Sequence, residues 1–569
     1  MGFPGYVISL YVQVIRMVLP LRIRALALAC AALLNFLKLD SCLAGAEAAA
    51  LSGSWQLLVE NGGVSAMHMT LTPANTVLMY DRTDYGPSQL KLAGGKCRND
   101  PNDLALTTDC YAHAIELDLS TNAVRPLEVS TDTWCSSGAF LADGRFVSTG
   151  GWNDGGQSVR IFTPCSDKTC DWQELSNALA KPRWYASNQI LPDNNIIVVG
   201  GRKGFSYEFA PRTTGAISLP FLYQTNEPNT ENNLYPFLHL SSDGNVFIFA
   251  NSKSILLDYR SNKVVRTFPE LLGGSRNYPS SGSSVMLPLS AVDDFQRVEV
   301  MICGGAPHGA FQKVAQGSYP AALQTCARMT ITDPNPEWSM ENMPSSRVMG
   351  DMILLPTSEV LIINGAKQGT AGWGSAVNPS LSPFLYTPSA PTESRFQVLA
   401  STPIPRLYHS TAILLPDGRV LVGGSNPNVG YSFMDVPFPT ELRIEAYSPY
   451  YLATSFDNKR PSITALNGQI GYGVIFEVDF ILLTADHVSS VEFKLFAPPF
   501  TTHTTSMNQR QLILQATTIL NGTSKGAGAG FMAMVKSPSS AIAAPPGYYL
   551  LFVVNQGVPS QGAWIQVVA

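Results

Sequence analysis

Residues 406–424, RLYHSTAILLPDGRVLVGG, read as an apolar strand, an Asp-Gly turn, a second apolar strand and a Gly-Gly end. Asp-Gly between alternating strands marks a tight hairpin, because a two-residue turn needs positive φ and these residues tolerate it. The same plan recurs in AFLADGRFVSTGG (139–151), QILPDNNIIVVGG (189–201), LHLSSDGNVFIFAN (238–251), VEVMICGG (298–305) and MILLPTSEVLIINGA (352–366). A looser unit, MTLTPANTVLMYD (69–81), brings the number to seven.

The units end roughly every 50–60 residues, the period of a kelch-type blade. The expected fold is therefore all-β, with a seven-bladed kelch-type β-propeller over 52–456. After 456 the repeat stops, and DNKRPSITAL reads as a linker. Residues 457–569 carry alternating strands (GVIFEVDF, VEFKLFA, RQLILQA, YYLLFVVN, WIQVV) between Gly- and Pro-rich turns, which suggests an immunoglobulin-like sandwich.

At the N-terminus, Arg16, Arg22 and Arg24 precede an uncharged run over 25–37, and small residues follow with an A-x-A site at Ala44 to Ala46. That order is a signal peptide, expected over 1–46, and the run is too short for a membrane span. Secretion is the expectation, with the apoplast or cell wall as the place of action. Beyond the leader remain Cys97, Cys110, Cys135, Cys165, Cys170, Cys303 and Cys326. Six form pairs close in sequence: 97 with 110, 165 with 170, and 303 with 326. Cys135 is left over, and an odd thiol in a secreted protein calls for a task. The net charge of −5, with 14% charged residues and no basic run, argues against nucleic acid as a partner.

Ungapped alignment of 406–424 with RWYASNQILPDNNIIVVGG (183–201) sets Tyr408 on Tyr185 and His409 on Ala186. Arg276-Asn277-Tyr278 repeats the Arg-x-Tyr element, so a tyrosine there counts partly as a habit of the repeat. Cys135 stands in TWCSSGAFLADG, one unit before Tyr185. His503 lies in FAPPFTTHTTSMNQRQL, which has no core periodicity.

RLYHSTAILLPDGRV, THTTSMNQRQ, WCSSGAFLADG and RWYASNQILPD together resemble the galactose oxidase and glyoxal oxidase family of copper radical oxidases. ENNLYPFLHLSSDGNVFIFAN (231–251) and RNYPSSGSSVMLPL (276–289) point to its glyoxal oxidase-like branch of aldehyde oxidases. The resemblance implies one copper ion held by Tyr185, Tyr408, His409 and His503. It also implies a thioether between Cys135 and Tyr185 as a radical cofactor, and Tyr408 as axial ligand and proton acceptor. Imidazole and phenolate donors suit tetragonal Cu(II). The activity implied is oxidation of small aldehydes to carboxylic acids with reduction of O2 to H2O2. A primary-alcohol oxidase of the same family and a non-catalytic kelch binding protein are the alternatives. No Gly-x-Gly-x-x-Gly stands in a βαβ setting, so no organic redox cofactor is expected.

Two departures stand out. Galactose oxidase has a tryptophan over its modified tyrosine, shortly after the Gly-Gly of that blade. Here RKGFSYEF (202–209) follows, so Phe205 or an aromatic from another blade would have to shield the ring. The segment Leu234-Tyr235-Pro236 lacks the arginine used for sugar hydroxyls, and Gln368 and Trp373 are candidates for the substrate rim.

Overall fold

The computed structural model describes residues 51–211, 215–484, 488–522 and 528–569. The expected leader and its cleavage site lie outside the described residues. The chain is all-β, and its described helices are one or two turns long.

Seven antiparallel sheets follow one another along the chain. Their first strands are His68–Leu71, Ser137–Phe140, Ala186–Ile190, Phe237–Leu240, Ser283–Met286, Asp351–Leu354 and Ser410–Leu414. The seventh sheet takes its outer strand from the start of the described chain: Ser54–Val59 pairs with Ile444–Ser448, Ser54 opposite Ser448. First strands of neighbouring sheets touch, the seventh against the first and sixth, and the third against the second and fourth.

A repeated backbone device starts these sheets. Cys135, Tyr185, Tyr235, Ser281, Met349 and His409 all have left-handed φ, at 55°, 66°, 49°, 37°, 58° and 65°. Each lies six residues before the residue whose N–H closes the hairpin turn: Leu141, Leu191, Ser241, Leu287, Leu355 and Leu415. L-residues with side chains larger than Asn rarely adopt this conformation. Six occurrences at one place in a repeat make it a construction rule of this fold.

This rule corrects the ungapped alignment. Ala186 pairs with Gly200 and Ser410 pairs with Gly424, so the strands correspond with Tyr185 on His409 and Trp184 on Tyr408. The ends agree, since Gly200 and Gly201 have φ of 78° and 104°, and Gly424 and Ser425 have 74° and 106°. The arginines also agree: Arg183 Nη1 donates to Gly200 O at 2.7 Å, and Arg406 Nη1 to Gly424 O at 2.9 Å. Relative to Arg183-Trp184-Tyr185, the chain Arg406-Leu407-Tyr408-His409 holds one extra residue. That insertion sets Tyr408 on the Trp184 position and His409 at the left-handed position.

The C-terminal part forms two further sheets. One includes Arg510–Leu514, Glu492–Ala497, Gly547–Asn555 and Ala563–Val567; the other contains Ser462–Leu466, Ile475–Leu482, Ala529–Lys536 and Ala516–Asn521. Phe480, Phe493, Phe531, Leu495 and Val553 from both sheets share one buried cluster. A hairpin, Phe500–Thr502 with Thr505–Met507, leaves this region and joins the first sheet. Thr502 lies opposite His68 and Phe500 opposite Thr70, which extends that sheet to six strands.

The hairpin's neighbour His239 gives a test of how the two regions are coupled. Its ring is buried, Nε2 lies 2.9 Å from Ser284 Oγ, and burial, followed by the Arg510 charge, lowers its pKa to about 3. The unfolded chain takes up a proton near pH 6.5 that the folded chain refuses, so stability from this group is lost as pH falls from 6.5 towards 3. Relative to His239→Gln, the parent should lose roughly 1 kcal/mol per pH unit across that window. Urea unfolding of both proteins at pH 6.5, 5.5 and 4.5 checks this.

Candidate metal centre

Three left-handed positions and the hairpin tip meet at one place. Cys135, Tyr185, Tyr408, His409 and His503 are all buried, and the cysteine sulfur and the ring nitrogens of His409 and His503 lie within 4.8 Å of one another. The three expected disulfides are present, and Cys135 is free.

Backbone geometry places the first two residues side by side. Tyr185 N–H donates to Cys135 O at 3.0 Å, and Tyr235 N–H donates to Tyr185 O at 2.9 Å. Burial raises the Cys135 thiol well above its ordinary value, and a hydrogen bond from the Tyr185 phenol opposes that rise. His503 and Thr504 are the central residues of the hairpin turn, with φ of 46° and 69°. Two positive φ values match the twist of the flanking strands.

His503 is held in one orientation. Thr502 Oγ1 donates to Met67 O at 3.0 Å, so it accepts from His503 Nδ1–H at 2.7 Å. Nε2 is then the lone-pair nitrogen, and it lies 3.3 Å from Cys135 Sγ. Thr502→Val should therefore loosen metal binding by about 10–100-fold, the usual effect of losing a group that orients a ligating imidazole. A competition titration with a copper chelator reads this directly.

His409 differs. Neither Nδ1 nor Nε2 has a hydrogen-bond partner, although the ring is only 2% exposed. An imidazole buried without a partner costs free energy unless something outside the protein chain satisfies it. Burial, followed by the neighbouring His503, keeps the His409 pKa far below the ordinary imidazole value, and burial does the same for His503. Two neutral imidazoles beside two phenols fit a tetragonal cupric ion, and a metal is a partner that the His409 ring can take.

The phenols form a chain. Tyr185 O–H donates to the Tyr278 oxygen at 3.1 Å, and the Tyr278 and Tyr408 hydroxyls are 3.0 Å apart. Burial raises Tyr185 and Tyr408 well above the ordinary phenol value. Tyr278 is the residue that sequence reasoning set aside as a habit of the repeat. The signal was present in Arg276-Asn277-Tyr278, but the unit's left-handed position falls at Ser281, so this tyrosine has its own place.

Of the two expected covers for the Tyr185 ring, Phe205 and an aromatic from another blade, the structure has the second. Phe205 does not reach it and packs edge-on against Tyr223 at 5.3 Å. Instead Tyr278 stacks on Tyr185 at 4.4 Å and 27°, and Trp184 lies at 4.8 Å. Trp184 continues into a cluster with Trp134, Trp152 and Trp373. Arg82, also missed, sits 3.6 Å over the Tyr85 ring and 5.2 Å and 5.1 Å over Trp134 and Trp373. Its charge opposes protonation of His409 and His503. Of the two rim candidates, Trp373 belongs to this cluster, whereas Gln368 accepts from Asn378 at 2.5 Å on the paired strand.

A cavity of ≈ 320 Å³ reaches the site, lined among others by Tyr185, Tyr278, Leu234, Phe311, Arg202 and Glu231. Its walls are a mixture of phenol, apolar and charged groups, suited to a small polar molecule.

A family model described as glyoxal oxidase N-terminus matches residues 67–451, and one described as galactose oxidase-like, early set domain, matches 460–567. The chain is 47% identical to "Aldehyde oxidase GLOX" of Vitis pseudoreticulata over 91% of this chain and 98% of that protein. It is 46% identical to "Aldehyde oxidase GLOX1" of Arabidopsis thaliana over 91% and 85%. Among solved structures, a fungal alcohol oxidase of the AA5 family in complex with copper superposes with a TM-score of 0.68 at 20% identity, covering 91% of this chain and all of that one (100%). At that identity the likeness concerns the fold. The match of family, relatives and site geometry leads to one conclusion: this chain belongs to the glyoxal oxidase branch of the galactose oxidase and glyoxal oxidase family.

Proposed function

We propose that the protein is a secreted copper radical oxidase that converts small aldehydes to carboxylic acids, R-CHO + O2 + H2O giving R-COOH + H2O2. The observation that carries this reading is the meeting of Cys135, Tyr185, Tyr408, His409 and His503 at one buried point, with both nitrogens of His409 unsatisfied. The relatives named aldehyde oxidase support the substrate class.

In this reading the seven sheets are the blades of a kelch-type propeller over 52–456, and 457–569 is an immunoglobulin-like domain that lends the His503 hairpin. The pairing of Ser54–Val59 with the last sheet supports it, because joining first and last strands in one blade leaves no open edge there. Residues 1–46 are the signal peptide. Three disulfides support an oxidising compartment, the apoplast or cell wall.

Tyr185, Tyr408, His409 and His503 would hold copper, which would supply one of the two oxidising equivalents and the means to reduce O2. Cys135 and Tyr185 supply the other as a thioether-linked pair. Forming that bond removes the thiol hydrogen and one ring hydrogen, and O2 accepts both with two electrons to give H2O2. Tyr408 accepts the substrate proton. Burial of Cys135, Tyr185, Tyr408, His409 and His503 excludes bulk water and keeps the radical from side reactions. Thr502 fixes His503 with Nε2 towards the metal.

Peroxide release from copper-loaded protein, measured across a panel of aldehydes and primary alcohols, tests the proposal. Release with aldehydes at several times the rate with alcohols is the expected result. Faster release with alcohols would favour the alcohol oxidase, and no release with any substrate would favour the binding protein.

A further inference from the structure

We propose that Tyr278 is a positioning residue that holds Tyr185 and Tyr408 at a fixed separation through its hydroxyl and protects Tyr185 with its ring. The inference rests on the copper radical reading above and adds to it a residue that the five-residue set does not contain.

The hydroxyl argument is one of counting. A phenol oxygen carries one proton and two lone pairs. Tyr278 oxygen lies 3.1 Å from the Tyr185 oxygen and 3.0 Å from the Tyr408 oxygen, so it is the only shared partner of the two among the described residues. Bonded to both at once, the Tyr278 oxygen sets the spacing of the two phenols.

The ring argument concerns access. Tyr278 lies flat against Tyr185 at 4.4 Å, while Tyr235 meets Tyr185 edge-on at 5.5 Å and Trp184 is tilted at 4.8 Å. Tyr278 and Tyr185 both line the ≈ 320 Å³ cavity, so a molecule entering there meets the covering ring beside the covered one. Stacked aromatic rings attract one another beyond simple burial, which keeps the cover in place. Tyr278 is also within 5.8 Å and 6.2 Å of the His503 and Tyr408 rings, which fixes it from the other side.

Two variants separate the two roles. Tyr278→Phe keeps the ring and removes the hydroxyl; Tyr278→Leu removes both. Copper content, the Cu(II) electron paramagnetic resonance spectrum, the decay of the radical absorption without substrate, and kcat and KM for an aldehyde are measured on parent and variants. For Tyr278→Phe we expect one copper per chain, a changed spectrum, a radical lifetime close to the parent's, and kcat lower by about tenfold with KM within about twofold. For Tyr278→Leu the radical lifetime should also fall by about tenfold or more. A purely structural tyrosine would lower yield or Tm and leave the spectrum and the rate per bound copper unchanged, and that result in Tyr278→Phe overturns the hydroxyl role. A radical that lasts as long in Tyr278→Leu as in the parent overturns the cover. A parent protein that shows no radical absorption and no peroxide would instead sink the oxidase reading itself, which makes the two failures distinguishable.

Discussion

Cys135→Ser and Tyr185→Phe should each reduce aldehyde-dependent peroxide release by at least about 10³-fold, equivalent to ~4 kcal/mol of barrier, without unfolding the protein. The loss is large because both residues build the same cofactor, so neither can act alone and the double variant should be no worse than either single one. The fold should survive. Cys135 is fully buried, and a serine there brings a hydroxyl at a cost of about 1–3 kcal/mol. Tyr185→Phe loses the hydroxyl's contacts with Tyr278 and Cys135, worth about 1 kcal/mol each. Circular dichroism and a normal melting curve alongside the lost peroxide would distinguish a chemical effect from a folding one. Near-full activity in either variant would mean that the oxidation does not use the Cys135–Tyr185 pair.

His409→Ala and His503→Ala should each weaken copper binding by more than about 100-fold, a loss of at least ~3 kcal/mol. In the parent, copper at 100 times its Kd should add about 2.7 kcal/mol of stability, because three separate chain segments close on it. The histidine variants should lose that added stability and show the same melting temperature with and without copper. His409 gives the sharper case. Its ring makes no hydrogen bond among the described residues, so removing it leaves no partner unsatisfied in the metal-free protein. A large fall in the metal-free melting temperature of His409→Ala, with copper binding retained, would assign the ring a structural role instead.

Much of the architecture was legible because hairpin turns need few residue types, and LPDGRV, LPDNNI and SSDGNV announce themselves at a steady period. The five candidate site residues came from motifs that resemble a known family's, since Tyr185 follows the Arg-x-Tyr habit of the repeat and His503 lies outside it. What escaped was register. Arg183 and Arg406 both bind the carbonyl at the end of the next strand, and Arg-x-Tyr follows each, so an ungapped match looked natural. The left-handed position that truly aligns the units is a backbone property, and side chains as different as Cys, Tyr, Ser, Met and His occupy it. Tyr278 escaped because its role depends on two hydroxyls that are 93 and 130 positions away along the chain. For the shielding ring, the second of the two expected sources, an aromatic from another blade, is the one found: Tyr278 arrives from a different sheet.

The central claim is that Cys135 and Tyr185 become one covalent unit. Protein exposed to copper and oxygen, then reduced, alkylated, digested and analysed by mass spectrometry, tests it most directly. The account predicts that the peptides containing Cys135 and Tyr185 appear as one species, lighter than their sum by two hydrogen atoms, and that Cys135 resists alkylation. It also predicts that this species is missing from Cys135→Ser and from Tyr185→Phe. Separate peptides with a fully alkylated Cys135 after copper and oxygen treatment would contradict it.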